Sequence, residues 1–293
     1  MEVTVYSQRG LETHGLLIRL LRVITVPLLN YISPSTLQKF MRASSRDASA
    51  VMQNVGYTHA LEIIYTRYHR KLFSRGFRQG IADFFWHHCT SQAKALRNRL
   101  KIVEHILDSE IAKRVHTHPQ GIFNILTVGG GSSRAITHSL YRNRKKYQNL
   151  SVRVTNIDKD GSAIDLGKKI SREHNLDELF YWIQDDARNI ETHVMADSTD
   201  IVEMVGLLDY FSHERGVEII SHIYRVLKPG GIFIVANVYP NNEQKFLHNM
   251  GWPAMYYRGP ETVKRILKES GFSREPTIIF EPLKLHIIIV VEK

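Results

Sequence analysis

A chain of 293 residues with 43% hydrophobic content can bury one large core plus an appended subdomain, and is neither disordered nor fibrous. The single cysteine, Cys89, excludes an internal disulfide framework and a cysteine-built zinc site, and fits a reducing, cytoplasmic setting. The formal charge of +10 is lopsided, because residues 1–120 carry 17 Lys and Arg against 8 Asp and Glu whereas residues 121–293 carry 22 against 21.

The basic part suits anionic substrates, acidic membrane surfaces or nucleic acid, unless it is simply the solvated face of a helical subdomain. Its most apolar stretch, the seventeen residues Leu16 to Ile32, contains Arg19, Arg22 and Pro27. That composition makes a poor transmembrane span, and no small-residue cleavage site follows it. A basic amphipathic helix remains, and its narrow polar stripe (Arg19, Arg22, Thr25, Asn30) favours burial within a cap or across a homodimer interface over a membrane surface. Pro34 presets a helix start, with Ser35 and Gln38 fitting a capping box. The pattern then stays helical to about Lys113, with Gly56, Gly76 and Gly80 as breaks. Aromatic and basic residues interleave from Tyr65 to Lys71 and through Phe73, Arg75, Phe77 and Arg78. Helices packing with Tyr and Phe inward and Arg outward account for that mixture as well as nucleic acid does. His87-His88-Cys89 has no partner at metal-ligand spacing and is read as structural, so no metal site is expected.

His116 to Gly121 reads as a linker, after which the grain changes. An apolar run, Ile125 to Val128, breaks into Gly129-Gly130-Gly131-Ser132-Ser133 before a helix from Arg134 to Tyr147. A turn without side chains lets a ligand approach the backbone, and the amides of the next helix can hold its polar end. Further strands are expected at Ser151–Ile157, Leu179–Gln184, Asp200–Val205 and Ile232–Val238, with helices at Gly161–Glu173 and His213–Leu227 between them. Such alternation implies parallel strands covered on both faces, with ligands at their carboxyl ends. After a long connection, Tyr239 to Arg258, comes a helix from Pro260 to Ser270 and then two strands, Thr277–Glu281 and Leu285–Val291. The three residues Pro282-Leu283-Lys284 cannot hold a crossover, so these strands must be antiparallel neighbours.

Residues 121–293 resemble a class I S-adenosylmethionine-dependent methyltransferase, a Rossmann-like α/β fold whose doubly wound, mostly parallel, seven-stranded sheet ends in an antiparallel strand. Residues 1–120 are then an N-terminal helical cap or substrate subdomain. The resemblance implies that Gly129, Gly130 and Gly131 meet the methionine part of S-adenosylmethionine, that Asp158 holds the ribose hydroxyls, and that Asp186 beside Ala187 meets the adenine amino group. The segments Gly206–Phe211 and Tyr256-Tyr257-Arg258 are further similar to a little-described bacterial methyltransferase group.

Two departures stand out. Ser133 occupies the third glycine of the usual Gly-x-Gly-x-Gly, and Thr127 the place of the acid before the first, so a carboxylate for the cofactor's amino group must come from elsewhere. A dinucleotide Gly-x-Gly-x-x-Gly fits worse, since Arg134 stands at its last glycine. A sulfonium methyl is already electrophilic, so rate comes from in-line positioning and, for a protonated nucleophile, a nearby base. Tyr210 and His213 are the foremost candidates, with Asp209, Tyr239, His248, Tyr256 and Tyr257 behind them. No Asn-Pro-Pro-Tyr segment follows the fourth strand, which argues against methylation of nucleic-acid bases and leaves a small, anionic metabolite as the expected acceptor. Two alternatives stay open: a synthase using another carbon of the cofactor, by cyclisation or aminobutyrate transfer, and a non-catalytic binding protein retaining the fold.

Overall fold

A computed structural model of the chain describes residues 3–56, 58–68, 76–117, 121–145 and 150–293. The aromatic and basic run is therefore described only as far as Tyr68 and again from Phe77. His69, Arg70, Lys71, Phe73, Arg75 and, from the expected linker, His118, Pro119 and Gln120 lie outside the described residues.

In chain order, strand β1 (Val3–Val5) precedes the helices α1 (Leu16–Tyr31), α2 (Pro34–Ser44), α3 (Arg46–Gln53), α4 (Thr58–Thr66), α5 (Phe77–Phe84) and α6 (Ser91–Thr117). The alternating part follows as β2 (Gly121–Val128), α7 (Arg134–Asn143), β3 (Leu150–Asp158), α8 (Gly161–Glu173), β4 (Phe180–Gln184), α9 (Ile190–His193), β5 (Thr199–Val205), α10 (His213–Val226) and β6 (Leu227–Val238). Then come α11 (Gln244–Asn249), α12 (Pro260–Glu269), β7 (Thr277–Phe280) and β8 (His286–Glu292). The sheet order is β1-β7-β8-β6-β5-β2-β3-β4. Only β8 runs against its neighbours, pairing antiparallel with both β6 and β7. The seven expected strands are β2 to β8, and β1 adds an eighth by pairing parallel with β7, Val3 opposite Ile278.

Apolar residues on both faces of the strands make two cores. One packs α10 and α12 onto Val202, Phe233, Ile278 and Ile287. The other packs α6 and α7 onto Phe123, Ile125, Ile234 and Ile288. Ile102, Val103, Leu107 and Ile111 of α6 belong to that second core, so α6 covers the sheet although it precedes the expected boundary at residue 120. Burying a Leu or Ile side chain stabilises by roughly 1.5–3 kcal/mol, which ties this helix to the sheet.

A third core joins α2, α3 and α4 (Leu37, Met41, Val51, Ile64) to Trp86 and Leu96, and takes Phe246 and Met250 from α11. Helix α2 starts at Pro34, but Ser33 caps it, its Oγ accepting from the Thr36 amide at 3.4 Å, so the capping box read at Ser35 is displaced by two residues. Gly56 and Gly76 do break the chain, with φ of 79° and 101°, whereas Gly80 is buried inside α5.

Helix α1 departs from expectation. Val26 is its only buried residue, and Leu17, Val23, Ile24 and Tyr31 are all more than 70% exposed. The polar residues on which its burial was argued turn towards the protein. Arg22 donates to the Cys89 carbonyl at 2.7 Å and pairs with Glu243, Arg19 donates to the His14 carbonyl at 2.8 Å, and Asn30 reaches the Asn242 carbonyl. No helix among the described residues is long and apolar enough to cross a membrane. Among the same residues, no three His, Cys, Asp or Glu side chains could share a metal ion. His87 is buried with its Nε2 at 3.0 Å from Asp47.

Candidate functional site

The carboxyl ends of β2 to β6 open into one cavity of about 640 Å³, roofed by the loop after α3, by α4 and α6, and by the stretch around Trp252. That volume lies within the roughly 300–1,000 Å³ of small-molecule sites.

The floor begins at the turn after β2. Gly129 and Gly131 have φ of 59° and 52°, a left-handed conformation that favours glycine. A Cβ at Gly130 would stand 1.7 Å from Thr127 Oγ1, and one at Gly131 would stand 2.4 Å from Thr58 Oγ1 of α4. Ser133 takes φ 47° at the helix start, and its Oγ accepts from Asn156 Nδ2 at 2.6 Å. Serine in place of glycine is thus anchored by a side chain of β3.

Asp158, at the end of β3, accepts from the Gly131 amide at 2.7 Å and from the Asp160 amide at 2.8 Å. Desolvation by burial pushes its carboxyl above the ordinary range, against the pull of those two amides. Each oxygen keeps lone-pair capacity for a further donor. Asp185, Asp186 and Ala187 line the same end after β4. Asp186 caps the next turn through the Arg188 amide and is held below the usual carboxylate range by the Arg188 guanidinium at 2.9 Å. Asp185 is held at about 2 by His193 and Asn189. Of the residues read as a cofactor site, Gly129, Asp158, Asp186 and Ala187 line the cavity directly, and Gly130 and Gly131 complete the turn beside it.

Thr127 faces Glu203 across the β2–β5 pairing and donates to its Oε2 at 3.0 Å. A buried carboxylate therefore stands one strand over from the position where the usual acid is missing. Desolvation raises Glu203 to about 7, opposed by the Thr127 hydrogen bond and the Arg99 charge.

The far end of the cavity is buried and polar. Arg99 of α6 is 3% exposed, lies 4.0 Å from Asp209, and borders Gly206. Its Nε has no hydrogen-bond partner among the described residues. Asp209 accepts from the Val238 amide at 2.6 Å, and burial raises its carboxyl. His286, at the start of β8, lines the cavity and is 3% exposed, and neither ring nitrogen has a partner among the described residues. Burial, reinforced by the Arg99 charge, lowers its imidazole well below the ordinary value.

Of the two foremost catalytic candidates, Tyr210 lines the cavity, and its hydroxyl accepts from Trp252 Nε1 at 3.0 Å. Burial and the nearby Asp209 raise its phenol, which makes it a neutral donor rather than a base. His213 is not brought to the cavity; its Nε2 lies 2.6 Å from Glu269 of α12 on the outer side. Tyr256 is half-exposed beside Arg258, and Tyr257 is pushed up to about 12 by burial and Asp209. Tyr65 bonds Arg99, and Tyr68 lies under Arg97 with 4.3 Å from guanidinium to ring centre. Sequence reasoning missed Arg99, Glu203 and His286. Only the polar interruption of an apolar strand, Glu203 within Asp200–Val205 and His286 within Leu285–Val291, was there to find them.

Residues 125–231 match the family model of a methyltransferase domain. No curated protein matches the chain. Among solved structures, a possible exported protein from Bordetella parapertussis superposes with a TM-score of 0.65 at 14% identity, covering 90% of this chain and 97% of that one. A candidate O-methyltransferase from Nostoc punctiforme gives 0.56 at 13%, covering 84% and 71%. The magnesium protoporphyrin IX methyltransferase of Synechocystis gives 0.54 at 14%, covering 84% and 99%. At these identities the likeness is one of fold. Together with the matched stretch, it shows that residues 125–231 form a methyltransferase-type α/β domain.

Proposed function

We propose that this protein methylates a small, anionic metabolite held beneath the helical cap. The observation that carries this reading is the continuity of one cavity from Asp158 and Asp186 at the strand ends to Arg99 under α6. Such a space suits cofactor and a small acceptor end to end. The glycine turn has the backbone access a methionine moiety needs, Asp158 has free lone pairs for ribose hydroxyls, and Asp186 for an adenine amino group. Glu203 is the proposed substitute for the acid absent at Thr127. Bound S-adenosylmethionine would supply the electrophilic methyl, and the chain's own residues would hold it in line with the acceptor and exclude water.

Residues 1–120 act as the substrate subdomain on this reading, with α1 to α5 as the cap proper and α6 as its stem on the sheet. A cytoplasmic setting accords with the unpaired, buried Cys89. The test is product analysis after incubation with S-adenosylmethionine and fractionated small-molecule extracts. S-adenosylhomocysteine marks methyl transfer, whereas methylthioadenosine would mark aminobutyrate chemistry and defeat the proposal. Absence of S-adenosylhomocysteine binding by calorimetry would leave only a binding protein.

A further inference from the structure

The inner pole of the cavity holds a buried guanidinium. Arg99 has Asp209 at 4.0 Å as its ionic partner. Arg258, also buried, donates to the Leu208 and Phe211 carbonyls and the Asn237 amide oxygen, and lies in the field of the same Asp209. Glu203 accepts from Thr127, and Glu281 from the amides of Leu283 and Leu285. An ammonium acceptor would be repelled here, whereas an oxyanion would complete the set. Two buried groups have no partner among the described residues: Arg99 Nε and the imidazole of His286. Buried polar groups left unpaired cost about 1–3 kcal/mol each, a cost that a ligand removes. The walls before this pole, Leu61, Ile64, Trp86, Leu96 and Met255, are apolar and suit a flat ring.

Building on the methyltransferase reading, we propose that the acceptor is an acidic hydroxyl compound, a phenol or an enol, with Arg99 facing its oxygen and His286 taking its proton. The O–H bond breaks and its proton passes to a ring nitrogen of His286. The oxygen then forms its bond to the methyl carbon as the carbon–sulfur bond breaks, and that electron pair returns to sulfur to leave a neutral thioether. The vacant imidazole is neutral, the form that accepts a proton, and the oxyanion formed beside it offsets the burial and the Arg99 charge that oppose imidazolium. Asp209 after β5 and Glu281 at the β7–β8 turn are the carboxylates nearest the strand ends that hold His286, and Tyr257 stays protonated throughout.

The test uses 4-nitrophenol, whose phenol and phenolate differ in colour, titrated into full-length protein saturated with S-adenosylhomocysteine. The bound dye should ionise about one pH unit or more below the free dye. His286→Gln and Arg99→Gln should each return it to the free value, with S-adenosylhomocysteine affinity unchanged. His286→Asn replaces Gln if circular dichroism shows a disturbed fold. Dye that stays neutral in the wild type, fails to bind, or ionises equally in both variants overturns the proposal. Failure to bind S-adenosylhomocysteine would instead count against the methyltransferase reading itself.

A second, independent observation concerns the outside of the cap. Leu16, Leu17, Leu20, Val23, Ile24 and Leu28 of α1 are 59–80% exposed, and Phe40 of α2 is 63% exposed. Helices α1 and α2 both pack on α11. None of the three contains an acidic residue, and Arg19, Lys39, Arg42 and Lys245 are exposed on them. An apolar ridge flanked only by cations is complementary to an anionic lipid surface. We infer that α1 lies on a membrane containing acidic lipids, with α2 and α11 supplying the basic flank. Wild-type protein should co-sediment with vesicles of phosphatidylglycerol and phosphatidylcholine, about tenfold less with phosphatidylcholine alone, and less at high salt. Leu20→Asp with Ile24→Asp should abolish binding, and Lys39→Glu with Arg42→Glu should remove its salt dependence. Absence of vesicle binding, or a dimer by sedimentation velocity that the Asp pair dissociates while vesicles are ignored, overturns this inference.

Discussion

The two ends of the cavity are assembled by different means. At one end Asp158, Asp185 and Asp186 stand at neighbouring strand termini, half-buried, each oriented by a local turn. At the other, Arg99, Asp209 and His286 arrive from parts of the chain more than 70 residues apart and lie at most 4% exposed. The first end needs only a strand followed by a turn, so it is robust to what surrounds it. The second exists only because α6 crosses the sheet and β8 runs antiparallel beside β6, bringing His286 opposite Val238. Conserving the sheet while changing the helices over it would leave the strand-end acids intact and rebuild the buried pole.

The comparison breaks first at the glycine turn. Gly130→Ala sets a methyl 1.7 Å from Thr127 Oγ1, so the turn must deform. We expect S-adenosylhomocysteine binding to vanish in calorimetry and stability to fall by about 3 kcal/mol in urea titration. Asp158→Ala should weaken cofactor affinity by about 1.5–3 kcal/mol, the range for hydrogen bonds to a charged group, without unfolding the chain. Unchanged affinity would move the ribose elsewhere.

Glu203 sharpens the boundary between the two ends. Its ordinary carboxyl value is raised to about 7 in the folded protein, so it gains charge as pH rises through neutrality. If its ionised form meets the cofactor's ammonium, affinity should rise by about tenfold from pH 6 to pH 8, and Glu203→Gln should flatten that slope. The same raised value means that Glu203 favours the folded state while protonated. That contribution is full below the unfolded value and is lost as pH rises through 7 in the absence of cofactor.

The smallest effects belong to the two side chains first suspected of catalysis. Tyr210→Phe removes an acceptor from Trp252 and should cost about 0.5–1.5 kcal/mol of stability while leaving the pH profile of methyl transfer unchanged. His213→Ala, remote from the cavity, should stay within about 0.5 kcal/mol in stability and leave kcat unaltered. A lost alkaline or acidic limb in either variant would restore it as a proton acceptor.

The sheet was legible because its strands are short apolar runs separated by Gly, Asp and Pro. The reversed β8 was legible because a three-residue link forces antiparallel pairing. The acids at strand ends were legible because their place in the chain fixes their place in space. Arg99 was hidden in the 27-residue α6, whose apolar and charged residues alternate without a marked face. Which side of that helix meets the cavity is decided by its packing on α7, α4 and β8. His286 was read as part of an apolar strand, and its isolation from any partner is a property of the folded surroundings alone. Helix α1 was misread for a related reason. The pattern shows which residues are polar but not that Arg22 and Asn30 reach back to the protein, which leaves the apolar side in water. The α6 packing also bears on the reading of residues 1–120 as a separate cap. Deleting them would strip Ile102, Leu107 and Ile111 from the sheet core and unfold the domain.

A crystal structure of the complex with S-adenosylhomocysteine tests the central claim most directly. The account predicts both ribose hydroxyls within about 2.5–3.0 Å of Asp158, the adenine beside Asp186 and Ala187, and the sulfur turned toward Arg99 and His286. An adenosyl group seated under α6 with its sulfur facing away from His286 would contradict it.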